Sequence, residues 1–595
     1  MNTALFLHPG LLFFLGLPFV PVLRGVWRQT LVLLLPLLAF TLVLGLQPGT
    51  YGVMDVHGLR LTFGRVDRLA LVFAHVFTLM SCIGAIYGLH LRDPWQQAAA
   101  MGYVGSALGC VFAGDYLTLF LFWEGLMVFS TALVFLRRTD EAVRAGYRYF
   151  LVHVTGGLLL LGGIFLHYHQ SGTIAFEGFD PAAAGPAEYL ILAGFLLNAA
   201  VPPLHAWLPD AYGSATVVGS VFMCAYTTKT AVYALIRSFA GFDILIVLGV
   251  IMALYGVVYA VLENDARRLL SYHIISQVGY MVTGVGIGTA LSLNGACAHA
   301  YAHILYKALL FMGVGGVLQV TGTSRFSELG GLWKYMPWTL VFTLIGGLSI
   351  SAFPLFSGFV SKSMVVSGAW QSHLAWAALG LTLASAGTFL HTGLKVPYFI
   401  WFWREEPQCA PPEHEPPLNM LIAMGLAAFY CIFIGIRPTA LYRMLPFEAT
   451  YHPYTGAHIM GSLQILLFTM LGFFLLIRKL YPEPKVGLDL DWFYRKGGIL
   501  FMKLCRNVLQ TIDEQVVNNL HRNLALPLLR AAARLSAWND RRLIDGFVDG
   551  SATAVLAFGD RLRLFMQPGI LSRYVARTLA VLAGIILLVL FFHIR

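Results

Sequence analysis

The sequence is poor in charge. Lys, Arg, Asp and Glu make up 11% of its 595 residues, where a water-soluble domain carries about 25%. That excludes the string of soluble domains which length alone would suggest. Cysteine is sparse and scattered: Cys82, Cys110, Cys224, Cys297, Cys409, Cys431 and Cys505 form no CxxC pair. This argues against an iron–sulfur, zinc or disulfide framework, and most of the seven are expected to be small apolar fillers. No GxGxxG or P-loop pattern is present to bind a nucleotide. No cofactor and no metal are therefore expected, and no catalytic chemistry of the chain's own. The N-terminus lacks a basic region and a small-residue cleavage site, so it reads as a first span rather than a cleaved signal. The net charge of +10 does not point to nucleic acid. Lys and Arg sit in short loops and near the C-terminus, as in membrane proteins.

What the chain has in abundance is apolar sequence. It is 58% hydrophobic with a mean hydropathy of +0.73, and the apolar runs recur from end to end. A spanning helix needs about 20 such residues. By that criterion spans fall near 3–22, 29–46, 67–90, 96–113, 115–136, 143–168, 187–207, 215–236, 243–262, 271–290, 295–320, 337–360, 371–403, 418–436, 460–478 and 575–593. The expected fold is an all-α polytopic membrane protein of about 14–16 transmembrane helices, multi-pass in the cell (inner) membrane. The lipid bilayer is its solvent. Between the second and third spans, QPGTYGVMDVHGLRLTFGRVDR alternates like a small hairpin outside the bilayer. Loops after odd-numbered spans carry Arg24, Arg28, Arg92, Arg137, Arg138, Arg144, Arg267, Arg268, Arg325 and Lys334, while loops after even-numbered spans are poorer, the second, with Arg60, Arg65 and Arg68, being the exception. That places the odd-numbered loops on the cytoplasmic side and the N-terminus outside.

Residues 480–570 differ in kind, mixing apolar and charged positions at helical spacing. Such segments lie along a membrane surface or against a partner rather than spanning. The expected organisation is 1–95 as N-terminal spans with the hairpin, 96–405 as a core of two repeats (about 96–240 and 241–405), 406–480 as further spans, 481–572 as cytoplasmic-side lateral helices and 573–595 as a last span.

Within the apolar runs stand ionisable residues, each costing at least about 2–3 kcal/mol at mid-bilayer unless it meets a partner or water. Glu124 lies near the middle of DYLTLFLFWEGLMVFSTALVFL; the alternative to a proton-carrying role is a structural ion pair. Lys229 stands in VVGSVFMCAYTTKTAVYALIRSF, where snorkelling would need a nearer helix end. His299, His303 and Lys307 recur every four residues, so they share one helix face. A His-x-x-x-His pair could bind zinc, but no Glu follows the first His and no third ligand is near, so a stripe facing a hydrated channel is the preferred reading. Pro202, Pro203 and Pro209 should break the seventh span and free carbonyls to face protein or a wet cavity. His205 follows that break, either as a titrating group or as a hydrogen-bonded helix-end histidine. Lys362, in a Pro/Gly/Ser-rich stretch, is expected near the surface. His391 and Lys395 stand one turn apart beside Gly393 and Pro397, which reads as a second broken helix and an internal repeat.

The blocks FLFWEG, PPLHAWLPDAY, TTKTAVYALIR, ENDARRLLSYHIISQVGY, AHILYKALLFM and FPLFSGFVSK, in this order over about residues 100–400, resemble the proton-translocating antiporter-like subunits. That superfamily includes the A-type and D-type subunits of Mrp Na⁺/H⁺ antiporters and the large membrane subunits of respiratory complex I. TTKTAVYALIR and GFVSKSM are most similar to the D-type Mrp subunit, and NDRRLIDGFVDG to the largest complex I subunit, which has a lateral helix. The resemblance implies a proton path through a glutamate matching Glu124 and lysines matching Lys229, Lys307 and Lys395, with His303 at the place of a channel histidine. It also implies other membrane subunits as partners and H⁺ and Na⁺ as cargo. The family usually has a lysine in the broken seventh helix where this chain has Asn198, so either Lys229 takes over the role opposite Glu124 or this half works differently. The expected function is the proton-translocating subunit of an Mrp-type monovalent cation/H⁺ antiporter. The alternatives are a proton-pumping subunit of a complex I-like oxidoreductase or membrane hydrogenase, and a proton channel energising an inorganic-carbon uptake partner.

Overall fold

A computed structural model describes residues 7–483, 489–566 and 569–593. The sequence-based first span begins at residue 3, so its residues 3–6 lie outside the described residues, as do 484–488 and 567–568 of the expected lateral segment. Contacts divide the chain into two units, Met1–Asp491 and Trp492–Arg595.

The first unit opens with α1 (Pro9–Gly16), α2 (Phe19–Val22) and α3 (Gly25–Gly45). Strands β1 (Gly49–Val56) and β2 (Leu59–Val66) then pair antiparallel around Gly58, as the alternation in that stretch predicts. There follow α4 (Arg68–Tyr87), α5 (Pro94–Phe112), α6 (Tyr116–Phe135), α7 (Asp140–Ser171), α8 (Pro186–Asn198), α9 (Trp207–Ser214), α10 (Val217–Met223) and α11 (Thr227–Ser238). A second run comprises α12 (Asp243–Leu262), α13 (Ala266–Ile287), α14 (Ala290–Thr321), α15 (Pro337–Ile350), α16 (Ser357–Gln371) and α17 (Ala375–Thr388). The unit closes with α18 (Leu418–Ile436), α19 (Pro438–Tyr442) and α20 (Gly456–Leu476). Among the described residues, ten helices of the whole chain are long and apolar enough to cross a membrane.

The second run repeats the first. Helices α7 and α14 each have 32 residues and are offset by 150 positions at both ends, 140 to 290 and 171 to 321. Each starts on a threonine whose hydroxyl accepts from the backbone, Thr139 and Thr289, and ends on a left-handed glycine, Gly172 and Gly322. The bridge Asp115 to Ala175 recurs as Asp265 to Arg325.

The two helix breaks are also built alike. After α8, Val201 N–H donates to Leu196 C=O at 3.1 Å and Ala200 N–H to Leu197 C=O at 3.1 Å. After α15, Phe353 donates to Leu348 at 3.1 Å and Ala352 to Ser349 at 3.2 Å. This is the bonding of a Schellman stop. It needs a left-handed residue, here Ala200 (φ 60°) and Ala352 (φ 58°). Glycine would take that conformation freely, whereas an alanine costs roughly 1–2 kcal/mol, held in place by the surrounding bundle.

This corrects the position expected for the second break. The chain from Ala375 to Phe402 stays helical through Gly393 and Pro397 by widening into π turns at Phe389–Lys395 and Tyr398–Phe402. A wide turn absorbs the missing proline donor without ending the helix. The true break lies at residues 351–356, in the Pro/Gly/Ser-rich stretch before Lys362.

The second unit, taken by itself, is helical from Asp491 to Met566, with a further helix Leu571–His593. Leu500, Leu504, Val508, Ile512, Val516, Leu520, Leu524 and Leu528 recur every four residues and are exposed. A regular α-helix would rotate such a series about 40° per step. Five-residue π segments at Cys505–Leu509, Asp513–Val517 and His521–Ala525 take up the extra residue and keep the apolar ridge straight.

Helices α12 and α13 pack backbone to backbone through glycines. A methyl group at Gly279 would stand 2.5 Å from the Gly249 carbonyl oxygen and 2.6 Å from the Ala253 nitrogen. Gly279→Val is therefore expected to destabilise the bundle by about 1–3 kcal/mol, read as a lowered thermal midpoint in detergent. An unchanged midpoint would show that the two helices can separate freely.

Candidate functional site

Among the described residues, four lysines are buried in the first unit with no carboxylate within ion-pairing distance: Lys229, Lys307, Lys362 and Lys395. Lys229 stands at the start of α11, just after the α10 helix ends. Its Nζ donates to the Cys224 carbonyl at 2.7 Å and to the Thr228 hydroxyl at 3.1 Å. Lys362 stands in α16 just after the second break. Its Nζ donates to the Ile350 carbonyl, the last residue of α15, at 3.0 Å and lies 3.5 Å from the Ser385 hydroxyl. Expected near the surface, Lys362 is only 2% exposed. The break folds back over it. A pocket of about 290 Å³ has Lys362, Ser363, Thr382, Ser385 and His458 in its wall.

Lys307, in α14, reaches a histidine instead. Its Nζ donates to His273 Nδ1 at 3.2 Å. His273 Nε2 meets the Thr388 hydroxyl at 3.1 Å, and the Thr392 hydroxyl lies 3.2 Å from Nδ1. Thr392 in turn lies 2.7 Å from His391 Nδ1, and the two imidazole rings stand 4.6 Å apart, edge to face. Lys307, His273, Thr392 and His391 thus form one buried polar chain across α14, α13 and the π segment after α17. One turn further on, Lys395 donates to the carbonyls of Val261 and Glu263 at 2.6 and 2.8 Å, where α12 ends.

Two histidines of α14 join these groups. His303 lies within electrostatic reach of Lys229, Lys307, His299 and Lys362, and both its ring nitrogens lack a hydrogen-bond partner. His299 lies 3.3 Å from the Ser361 hydroxyl, next to Lys362 in sequence. The first half carries a separate cluster of hydroxyls. Tyr103 and Thr227 lie 2.5 Å apart, Tyr149 lies 3.5 Å from Thr227 and 2.8 Å from Ser130, and the His153 ring stacks on Tyr149 at 4.0 Å.

The expected pair of Glu124 and Lys229 does not form. Glu124 is half-buried on α6, its carboxylate lies against Gly157 of α7, and its Oε1 has no partner. Lys229 is turned toward the α10 terminus instead, where a free carbonyl is within reach of its short stem. Asn198, the last residue of α8, is 1% exposed and both side-chain atoms lack a partner. His205 lies in the α8–α9 break and meets Asp489.

Sequence reasoning missed His273, His153, Thr388, Thr392 and Asp489. His273 was visible as a histidine inside an apolar run, in the block ENDARRLLSYHIISQVGY. Its partners are 34 and 115 residues away, so no local pattern marks it. No group of three or more potential metal ligands occurs among the described residues.

The fold and the site define a polytopic membrane protein whose ionisable groups lie inside a bundle of two matched halves. Residues 113–388 match the family described as NADH:quinone oxidoreductase/Mrp antiporter, transmembrane. An uncharacterized protein of Methanocaldococcus jannaschii is 33% identical over 411 residues, 66% of this chain and 85% of that protein. The D-type subunit of the Na⁺/H⁺ antiporter of Alkalihalophilus pseudofirmus is 32% identical over 320 residues, 50% of this chain and 64% of that protein. Among solved structures, a chain of the Mrp complex from Dietzia sp. superimposes with a TM-score of 0.67 at 22% identity, covering 76% of this chain and 99% of that one. The chain belongs to the NADH:quinone oxidoreductase/Mrp antiporter transmembrane family. It spans 85% of the length of the Methanocaldococcus jannaschii protein but only between 40% and 66% of the length of the other curated relatives it matches.

Buried lysines held for structure and buried lysines held for function respond differently to removal. Removing the Lys362 ammonium gives up about 1 kcal/mol of hydrogen bonding but relieves a desolvation cost of several kcal/mol. Lys362→Met is thus expected to leave the thermal midpoint in detergent unchanged or higher. A drop of several degrees would assign the lysine a structural role.

Proposed function

We propose that this chain is a proton-translocating membrane subunit of a multisubunit Mrp-type monovalent cation/H⁺ antiporter. The observation that carries this reading is the row of buried, uncompensated ionisable groups: Lys229, His303, Lys307, His273, His391 and Lys395, with Lys362 beside it. Two positive charges about 4 Å apart interact by about 4 kcal/mol at an effective dielectric near 20, equal to about three pKa units. Each proton added to the row therefore works against the next, and a charge arriving at one end drives a charge off the other.

In this scheme Glu124 receives the proton at the first half and Lys229 responds to it across the bundle. His303 connects Lys229 to Lys307, and the His273–Thr392–His391 chain passes the charge toward Lys395. Other membrane subunits of the same assembly are the partners, and Na⁺ or a related monovalent cation is the exchanged ion. The likeness to the D-type antiporter protein supports this reading.

A second reading is kept because the family description also includes NADH:quinone oxidoreductase. The same row of charges would serve a proton-pumping subunit of a redox complex, with its cofactors on other chains. Purifying the native assembly separates the two: small membrane partners support the antiporter, iron–sulfur partners the redox pump.

Glu124→Gln removes the charge and keeps the volume. It is expected to abolish proton-coupled transport in inverted membrane vesicles while the protein still assembles in the membrane. Transport at the wild-type rate would overturn the proposal.

A further inference from the structure

The last residues of the first unit return into the bundle. Asp489 is 7% exposed and stands two residues before the helix that begins at Asp491. Its carboxylate lies 3.2 and 3.3 Å from Nε2 of His205. It also accepts a hydrogen bond from the Tyr255 hydroxyl, and one from the Tyr272 hydroxyl at 2.5 Å. Three parts of the fold meet on this one side chain: the break between α8 and α9, α12 and α13. The contacts join residues 217 to 284 positions apart.

The arrangement is specific to a carboxylate. Both oxygens of an ionised acid are acceptors only, so it takes bonds from two hydroxyls and an imidazole at once. Burial alone would raise the Asp489 carboxyl; the bonds and charge of His205 and the bonds from Tyr255 and Tyr272 outweigh it and hold the group down at about 2. With the folded value below the ordinary one, the link is complete at neutral pH and is lost only as pH falls through the acid range. The other titratable groups around it are Tyr259 of α12, stacked at 4.4 Å on Tyr255, and Arg268 of α13, which lies 3.3 Å from both Glu263 and Asp210.

His205 is fully buried. With Nε2 turned to Asp489, its other nitrogen, Nδ1, faces the interior without a partner. A carboxylate on one nitrogen of an imidazole fixes the tautomer, with the proton on that nitrogen and the lone pair on the other.

The geometry points to Asp489 as a positioning residue for proton transfer: it holds His205 with its proton on Nε2, so that Nδ1 takes up and releases the proton entering the first half at the α8–α9 break. A proton arriving at Nδ1 makes an imidazolium whose charge Asp489 balances. It leaves again from Nδ1, and only that N–H bond forms and breaks. The end of the first unit thereby contributes a working group to its first half. This rests on the proton-translocation reading above.

The test uses the full complex in inverted membrane vesicles, with proton uptake measured from pH 6 to 9 in wild type, Asp489→Asn, Asp489→Glu, His205→Gln, the double variant His205→Gln/Asp489→Asn, and Glu124→Gln as a control. Asp489→Asn is expected to lower the rate roughly ten-fold or more, in the range of a lost proton-transfer group, and to shift the pH profile. Asp489→Glu should recover much of the rate. The double variant should be no slower than His205→Gln, because both changes remove one device. A wild-type rate and profile for Asp489→Asn, with Glu124→Gln inactive, would overturn this inference and leave the proposed function standing. Wild-type rates in both would overturn the proposed function itself. A loss in Asp489→Asn that merely follows a fall in assembled protein, with no change in pH profile, would reduce Asp489 to a structural latch and overturn the inference.

Discussion

The placement of charge inside the bundle depends on lysine ammonium groups held by helix ends rather than by carboxylates. Lys229 docks on Cys224, Lys362 on Ile350 and Lys395 on Val261 and Glu263, each a carbonyl at the C-terminal end of a helix. The last four carbonyls of a helix have no donor within it and form the negative end of its dipole. A cation there is stabilised by partial charges that do not titrate. It can give up its proton without leaving a buried carboxylate unpaired, which in an ion pair would cost about 3–5 kcal/mol. Broken helices supply such ends inside the bundle, where continuous helices would not. The breaks, their left-handed alanines and the buried lysines are thus one device.

The two halves share a scaffold and differ in what they mount on it. Gly157 of α7 and Lys307 of α14 occupy the same place in the repeat, 150 positions apart. Against Gly157 lies the carboxylate of Glu124; against His273 lies the ammonium of Lys307. The first half thus carries a negative group where the second carries a positive one. Asn198, a neutral amide at the end of α8, extends the difference. In the proposed scheme, a row with opposite charges at its two halves has a direction built in, because a proton would neutralise one end and charge the other. His153 and His303, also 150 apart, are the points at which the halves remain alike.

Much of this was legible in the sequence. Apolar runs of spanning length fall on helices throughout, because the bilayer requires about 20 apolar residues with every backbone group paired inside the segment. That is a local constraint, written in consecutive residues. The hairpin at Gly49–Val66 was legible for the same reason: alternation and glycine are short-range signals. The identities of the buried ionisable residues could also be read, since a charge inside an apolar run is conspicuous wherever it points.

Which of these groups meet was decided by the tertiary structure. Proline and glycine mark two stretches after residue 350 that could each break a helix. Packing selected 351–356 and let π turns absorb Gly393 and Pro397, so Lys362 came inside. Glu124 and Lys229 have opposite charges but meet Gly157 and Cys224, since the nearest free carbonyl is closer to Lys229 than the carboxylate is. His273 became the centre of the second half only through helices 34 and 115 residues away, and His205 found its carboxylate 284 residues on. A sequence determines how each segment pairs its own backbone; contacts between side chains so far apart exist only once the helices are packed.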